Sequence, residues 1–272
     1  MRTLYSCFFL LAYSVILSAQ SISVRLPAGL ANQPLDGRLL IMLSTAQEGE
    51  PRFQITDGPG TAQVFGMDVE GWRPGTTVQL DQTAVGYPLQ QLADLPGGDY
   101  RIQVLLHKYE TFTRSDGHTV KLPMDRGEGQ QWNRAPGNLL STPKPVTINP
   151  GTSLTIDINQ SIAPIEPAKD TEWIKHVKIR SERLSKFWGR DMYLGAHVLL
   201  PAGWAEHPDV KYPLAIMHGH FPQDFGGFRT SPPDTSQPCE YSSRFGLDCY
   251  NHIQEQEAYD FYQAWSGPGF PR

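Results

Sequence analysis

Cysteine is scarce in this chain. Three are present, at positions 7, 239 and 249. That is too few for a disulfide-dense scaffold, and the last two lack the second ligand pair that a structural zinc site would show. Charge is scarce too. Charged residues make up 19% and the net charge is −5 with no long run of one sign, which argues against nucleic acid as a partner. No internal repeat and no low-complexity tract is visible, so solenoid and linker-like classes fall away. The one long apolar run, residues 4–17, is shorter than the roughly 20 residues that a membrane span needs.

Turn-forming residues, by contrast, are plentiful. Glycine and proline number 25 and 23 in 272 residues, which favours many short strands over helical bundles. The length suggests about two domains. The first 21 residues read as a secretory signal peptide. Arg2 supplies the positive start, residues 4–17 the apolar stretch, and Ala19 and Ser21 are the small residues before cleavage at Ile22. The competing reading is a membrane anchor. Export gives the remaining cysteines a meaning. Cys239 and Cys249 flank a short polar loop, and in an oxidising compartment a disulfide is expected, with two free thiols as the alternative. Closing that loop is worth about 2–3 kcal/mol on the chain-entropy account. Asn159-Gln160-Ser161 matches a glycosylation sequon, relevant only in a eukaryotic secretory route.

Residues 22–161 are expected to form an antiparallel β-sandwich. Short strands are predicted over 22–26, 38–44, 64–69, 77–80, 120–122, 146–148 and 154–158. The clearest runs from Tyr100, where Ile102, Val104 and Leu106 share one face and Arg101, Gln103 and His107 the other, the period-2 pattern of a half-buried strand. The pattern around that strand resembles those of prealbumin-like and immunoglobulin-like sandwiches. In the polar, Gly/Pro-rich stretch 127–138, Trp132 beside Gln130, Gln131 and Asn133 suits either a sugar platform or a loop aromatic packed on the sandwich.

Two prolines mark residues 162–171 as a linker, and 172–272 as a second domain. Residues 173–179 alternate and should pair with 193–200 as an antiparallel hairpin. Residues 212–217, YPLAIM, form an apolar run fit for a strand buried on both faces. A helix is predicted over 251–265, with Asn251 as N-cap and an apolar stripe of Ala258, Phe261, Tyr262 and Trp265 at i, i+3, i+4 and i+7.

The YPLAIM run ends at His218-Gly219-His220-Phe221 and opens into a Gly-rich loop. This strand-to-turn stretch resembles the opening of an α/β-hydrolase domain of the esterase type, a likeness spanning residues 173–270. The resemblance implies that the Gly219 turn presents backbone N–H groups to an oxyanion hole, with His220 and Phe221 as the two candidate donors. It also implies an incomplete catalytic domain, its first strands and one helix. The elbow Gly-x-Ser-x-Gly occurs nowhere in the 272 residues, and in such enzymes it lies further on, followed by the acid and the histidine. The expectation is therefore a secreted or periplasmic esterase-like serine hydrolase, here a fragment inactive by itself, acting when complete on a small-molecule or carbohydrate ester. No cofactor and no metal are expected. His218, His220 and Asp224 offer a weak metal alternative. Ser231 and Ser266 have no elbow context. The alternative function is a non-catalytic exported binding protein that grips a glycan or a protein.

Overall fold

The computed structural model describes residues 20–81, 83–218, 225 and 227–268. They divide into two compact units. The first comprises Met1–Glu110, Lys121–Met124 and Gln131–Ala163, and the second Thr111–Val120, Asp125–Gln130 and Pro164–Arg272. Most strand pairings in both are antiparallel.

Eleven strands come first in the chain: β1 (Ser21–Arg25), β2 (Leu35–Ser44), β3 (Gln63–Trp72), β4 (Thr77–Gln79), β5 (Val85–Tyr87), β6 (Gly98–Thr113), β7 (Thr119–Leu122), β8 (Leu139–Leu140), β9 (Lys144–Ile148), β10 (Ser153–Asp157) and β11 (Gln160–Ser161). The larger sheet runs β11-β8-β6-β2-β3-β5, with β7 and β9 also pairing β6, and the smaller runs β10-β1-β4. Both sheets feed one core. Ile22, Val24 and Ile156 from the small sheet pack with Leu39, Ile41, Phe65, Val104 and Leu106 from the large one. Ser21, assigned by sequence to the leader, is the first residue of β1 and donates its N–H to Thr152.

One feature differs from the fully antiparallel expectation. β1 and β10 pair in parallel, in register from Ser21↔Ser153 to Arg25↔Asp157. The two strands lie far apart in sequence, so no tight turn dictates their direction. The last pair carries a two-pronged ion pair, with Arg25 donating to both carboxylate oxygens of Asp157.

The apolar run of β2 is explained by burial on both faces. Leu39, Ile41 and Leu43 enter the main core. Met42, on the opposite face, is 0% exposed and meets Leu105 and Leu140 in a second cluster, over which Leu40, Trp132 and Ile162 pack. β6 keeps the alternation read from sequence, yet Gln103, on its supposedly polar face, is 0% exposed. Its amide is fully engaged. Nε2 donates to Glu50 Oε2 at 2.7 Å and to the Ser141 carbonyl at 3.2 Å, while Oε1 accepts the Arg52 N–H at 3.1 Å. Gln103→Leu keeps the bulk but strands these partners, and buried unsatisfied groups are costly. It should lower stability by about 2–3 kcal/mol in a urea titration. A shift under half that size would show that the network is not maintained in solution.

Two carboxylates of this unit make its stability acid-sensitive. Asp36 is held below its ordinary value first by the N–H of Gly71 at 2.7 Å and then, against a modest burial effect, by Lys121 at 3.1 Å. Burial pushes Glu50 up, but hydrogen bonds from Arg52 and Gln103 outweigh it, so its net shift is also down. A carboxylate with a lowered folded-state pKa contributes stability that is complete above its unfolded pKa. That contribution fades as pH falls through the folded value. The urea midpoint should therefore hold steady above about pH 5 and decline below about pH 4. Asp36→Asn should flatten part of that decline, and an unchanged slope would remove Asp36 from the account.

The second unit contains β12 (Ile174–Arg180), α1 (Glu182–Trp188), β13 (Tyr193–Leu199) and α2 (Tyr250–Ser266). β12 and β13 pair antiparallel from Ile174↔Leu199 to Arg180↔Tyr193, as the sequence pattern requires. The connection between them holds a helix that sequence reading missed. Ser181 caps it by accepting the Leu184 N–H, and Gly189 ends it at φ 66°, where a β-carbon would sit 2.7 Å from the Thr113 carbonyl oxygen. At seven residues, α1 is too short for periodicity to declare it. Ser185 locks it to the chain beyond, since its buried hydroxyl accepts the Met192 N–H at 2.9 Å.

α2 forms one residue longer at each end than the expected 251–265. Its N-cap is Cys249 rather than Asn251. Asn251 instead ties the helix to the segment before it, accepting the Glu240 N–H and donating to the Pro238 carbonyl, both at 3.0 Å. The predicted stripe is the buried face. Ala258 is 6% exposed. Phe228 lies 5.8 Å from Phe261 and 5.5 Å from Tyr262, and Trp173 meets Tyr262 at 5.7 Å. Residues 212–217, by contrast, are not a strand.

Candidate functional site

The turn proposed from sequence, Gly219-His220-Phe221, lies outside the described residues, as does Asp224. The structure therefore describes only the approach to it. β13 ends at Leu199, and the next carbonyl, Leu200, accepts a 2.7 Å hydrogen bond from the indole N–H of Trp265 near the end of α2. The hairpin's start is held to the same helix by the rings of Trp173, Phe228 and Tyr262. From this anchored base the chain runs through 201–211 into the YPLAIM segment.

That segment departs from expectation in a specific way. A buried strand was expected, yet Leu214, Ile216 and Met217 are 80%, 82% and 92% exposed, and no ladder includes them. Leucine, isoleucine and methionine together in one exposed stretch are unusual, since such patches mark surfaces awaiting a neighbour. An apolar strand is stable only with partners on its edges and faces, and among the described residues none occupies either. His218 at its end is exposed as well.

The hairpin carries a second cluster of polar chemistry. His176 and His197 face each other across β12 and β13 with ring centroids 4.9 Å apart. Asp170 accepts the His176 N–H at 2.8 Å and lies 3.1 Å from its Nδ1. The backbone donor first, then the ring, hold the Asp170 carboxyl below its ordinary value. This arrangement orients an imidazole, but the neighbouring hydroxyl, Thr171 Oγ1, is already engaged by the N–H groups of Trp173 and Ile174. It fixes the entry of the hairpin instead of activating a nucleophile.

The two serines differ in what engages them. The Ser266 hydroxyl donates to the Tyr262 carbonyl at 2.8 Å at the end of α2, and the Ser231 carbonyl accepts from Arg229. In the first unit, Trp132 is half-buried over Met42, Leu105 and Leu140. Asn133 donates its amide to the Arg52 carbonyl, and Arg52 returns a bond to the Asn133 carbonyl at 2.7 Å. That stretch packs on the sheet, as the plainer of its two readings had it.

Cys239 and Cys249 are joined in a disulfide, the pairing expected from their spacing. Sequence reading did not associate a third residue with them. His252, one turn into α2, places Nδ1 4.0 Å from Cys239 Sγ. The spacing Cys249-x-x-His252 at a helix start was the available signal. Among the described residues, no helix is long and apolar enough to cross a membrane. No protein-family model, no curated protein and no solved structure matches the chain.

Proposed function

We propose that this chain is the front part of an exported, esterase-like serine hydrolase with an α/β-hydrolase catalytic domain, preceded by an immunoglobulin- or prealbumin-like sandwich. The observation that carries the reading is the YPLAIM segment. It is strongly apolar, exposed, without a strand partner among the described residues, and leads in sequence into His218-Gly219. A hydrolase sheet would supply what it lacks, a strand on each side and helices over both faces. The antiparallel β12–β13 hairpin and a helix braced against its end support the same reading, since such a domain opens with these elements.

In this assignment the Gly219 turn supplies backbone donors. Acyl transfer places negative charge on the carbonyl oxygen, and preorganised N–H groups stabilise it as it develops. Glycine at the bend allows the close approach that such an oxygen needs. The nucleophile, its histidine and its acid must come from sequence outside these 272 residues, and the substrate is an ester of a small molecule or carbohydrate.

The test is made on the protein translated onward from the same reading frame. His220→Pro and Phe221→Pro each delete one candidate N–H. The substitution at the true donor should lower kcat by about 100- to 1000-fold with little change in KM, and the other should have a lesser effect. Full turnover by both variants would remove the turn from the chemistry.

A further inference from the structure

Cys239, Cys249 and His252 stand apart from that reading, and three observations converge on them. The first is proximity. One sulfur from each cysteine and one nitrogen of the histidine all lie within 4.8 Å of one another. The second is the state of the imidazole. Its Nδ1 faces Cys239 Sγ at 4.0 Å, and its Nε2 is buried with no hydrogen-bond partner. With Nε2 enclosed by protein, Nδ1 is the nitrogen turned toward the sulfur. The third is that the disulfide is not what holds the group together. Asn251 binds the Pro238 carbonyl and the Glu240 N–H, on either side of Cys239, and the Tyr250 N–H donates to the Glu240 carbonyl at 2.8 Å. Three hydrogen bonds thus fasten the Cys239 segment to the start of α2, independently of the S–S bond.

We propose that Cys239, Cys249 and His252 form a zinc-class metal site that is closed while the disulfide is intact and opens on its reduction. The redox step needs a two-electron donor, either a dithiol or a phosphine, the latter taking the oxygen of a water molecule to become its oxide while the two water protons go to the sulfurs. A dithiol transfers two electrons and two protons into the S–S bond, leaving two thiols and its own cyclic disulfide. Zinc binding then releases the two thiol protons to solvent. His252 contributes its Nδ1 lone pair, with its proton on Nε2.

Two sulfurs and one nitrogen suit zinc in charge and softness, and leave a fourth position for water or an external ligand. Bond lengths of about 2.3 Å to sulfur and 2.0 Å to nitrogen place tetrahedral ligand atoms about 3.5–4 Å apart. The present Cys239 sulfur–nitrogen separation of 4.0 Å is close to that. The two sulfurs must part while both stay within reach of His252, which the exposed loop between them permits.

The experiment uses the full chain, reduced with a phosphine and freed of it without air, then titrated with Co²⁺ and back-titrated with Zn²⁺. One equivalent of Co²⁺ should bind with a thiolate-to-metal charge-transfer band, displaced by Zn²⁺, while the oxidised chain gives no band. His252→Ala should weaken binding at least about tenfold, since second-shell partners alone are worth about 10–100-fold. Cys239→Ser should abolish the band. Circular dichroism of the oxidised His252→Ala chain checks its fold, and His252→Asn serves as the closer-shaped replacement. A reduced chain that binds no Co²⁺, binds it equally after either histidine substitution, or takes up several equivalents without the band would overturn the site. So would loss of the α2 signal on reduction alone, because the hydrogen bonds would then not hold the ligands in place.

Discussion

Replacing Phe65 with alanine should cost the first unit about 4 kcal/mol, the middle of the range for aromatic truncations. The ring is 1% exposed and among the largest fully buried side chains. It sits on β3 opposite Ile41 of β2 and opposite Gly86 of β5. The ring covers Gly86 so closely that a β-carbon there would lie 2.7 Å from two ring carbons. The strands on both flanks are held by ladders, so the cavity left behind cannot collapse, and the cost depends on how well a site can relax. Phe65→Leu keeps most of the volume and should cost only about 1.5 kcal/mol. Gly86→Ala should also be severe, because the added methyl meets the Leu89 carbonyl oxygen as well as the ring. Urea titration of the full chain measures all three. An alanine variant within about 1 kcal/mol of the parent would mean that the two sheets do not share the core described.

The reasons why some elements were legible in sequence and others were not are physical. Tyr100 to Leu106 alternates because β6 buries one face in the main core, and that period is written in the residues themselves. The stripe of Ala258, Phe261, Tyr262 and Trp265 is likewise local information, as is the β12–β13 pairing. The two-residue strands β8 and β11 are set by tertiary pairing and carry no period. Gln103 looked solvent-facing because nothing local reveals that Glu50, Arg52 and Ser141 gather around it. Cys249 replaced Asn251 as N-cap because the Asn251 amide has a better use, bridging Pro238 and Glu240. Of the candidate site, the apolar approach was legible and its end at His218 is described. The strand expected there is missing, since a buried strand is a property of its neighbours as much as of its own residues.

That missing strand yields the second large effect, one whose sign depends on context. Leu214→Lys combined with Ile216→Lys should convert the 272-residue chain from an aggregating to a monodisperse species. Exposed apolar stretches with free edges associate, and charge at such edges opposes this. In the protein extended past Arg272 the same pair should be ruinous. There both side chains would be buried in the sheet, and two unpaired buried charges exceed a domain's usual margin of about 5–15 kcal/mol. Size-exclusion light scattering of both forms reads the two outcomes together. Improvement in both forms would mean that residues 212–217 remain on the surface in the whole protein, and the hydrolase assignment of the segment would fail.

The central claim is that this chain contributes oxyanion donors to a serine nucleophile carried elsewhere in the same protein. Labelling by a serine-directed fluorophosphonate, with the modified peptide identified by mass spectrometry, tests it most directly. The expected result is one labelled serine in the protein translated onward past Arg272, within a Gly-x-Ser-x-Gly sequence, and no labelling of the 272-residue chain. Stoichiometric labelling of the short chain at Ser231, Ser266 or any other of its serines would contradict the claim, as would a stop codon directly after Arg272.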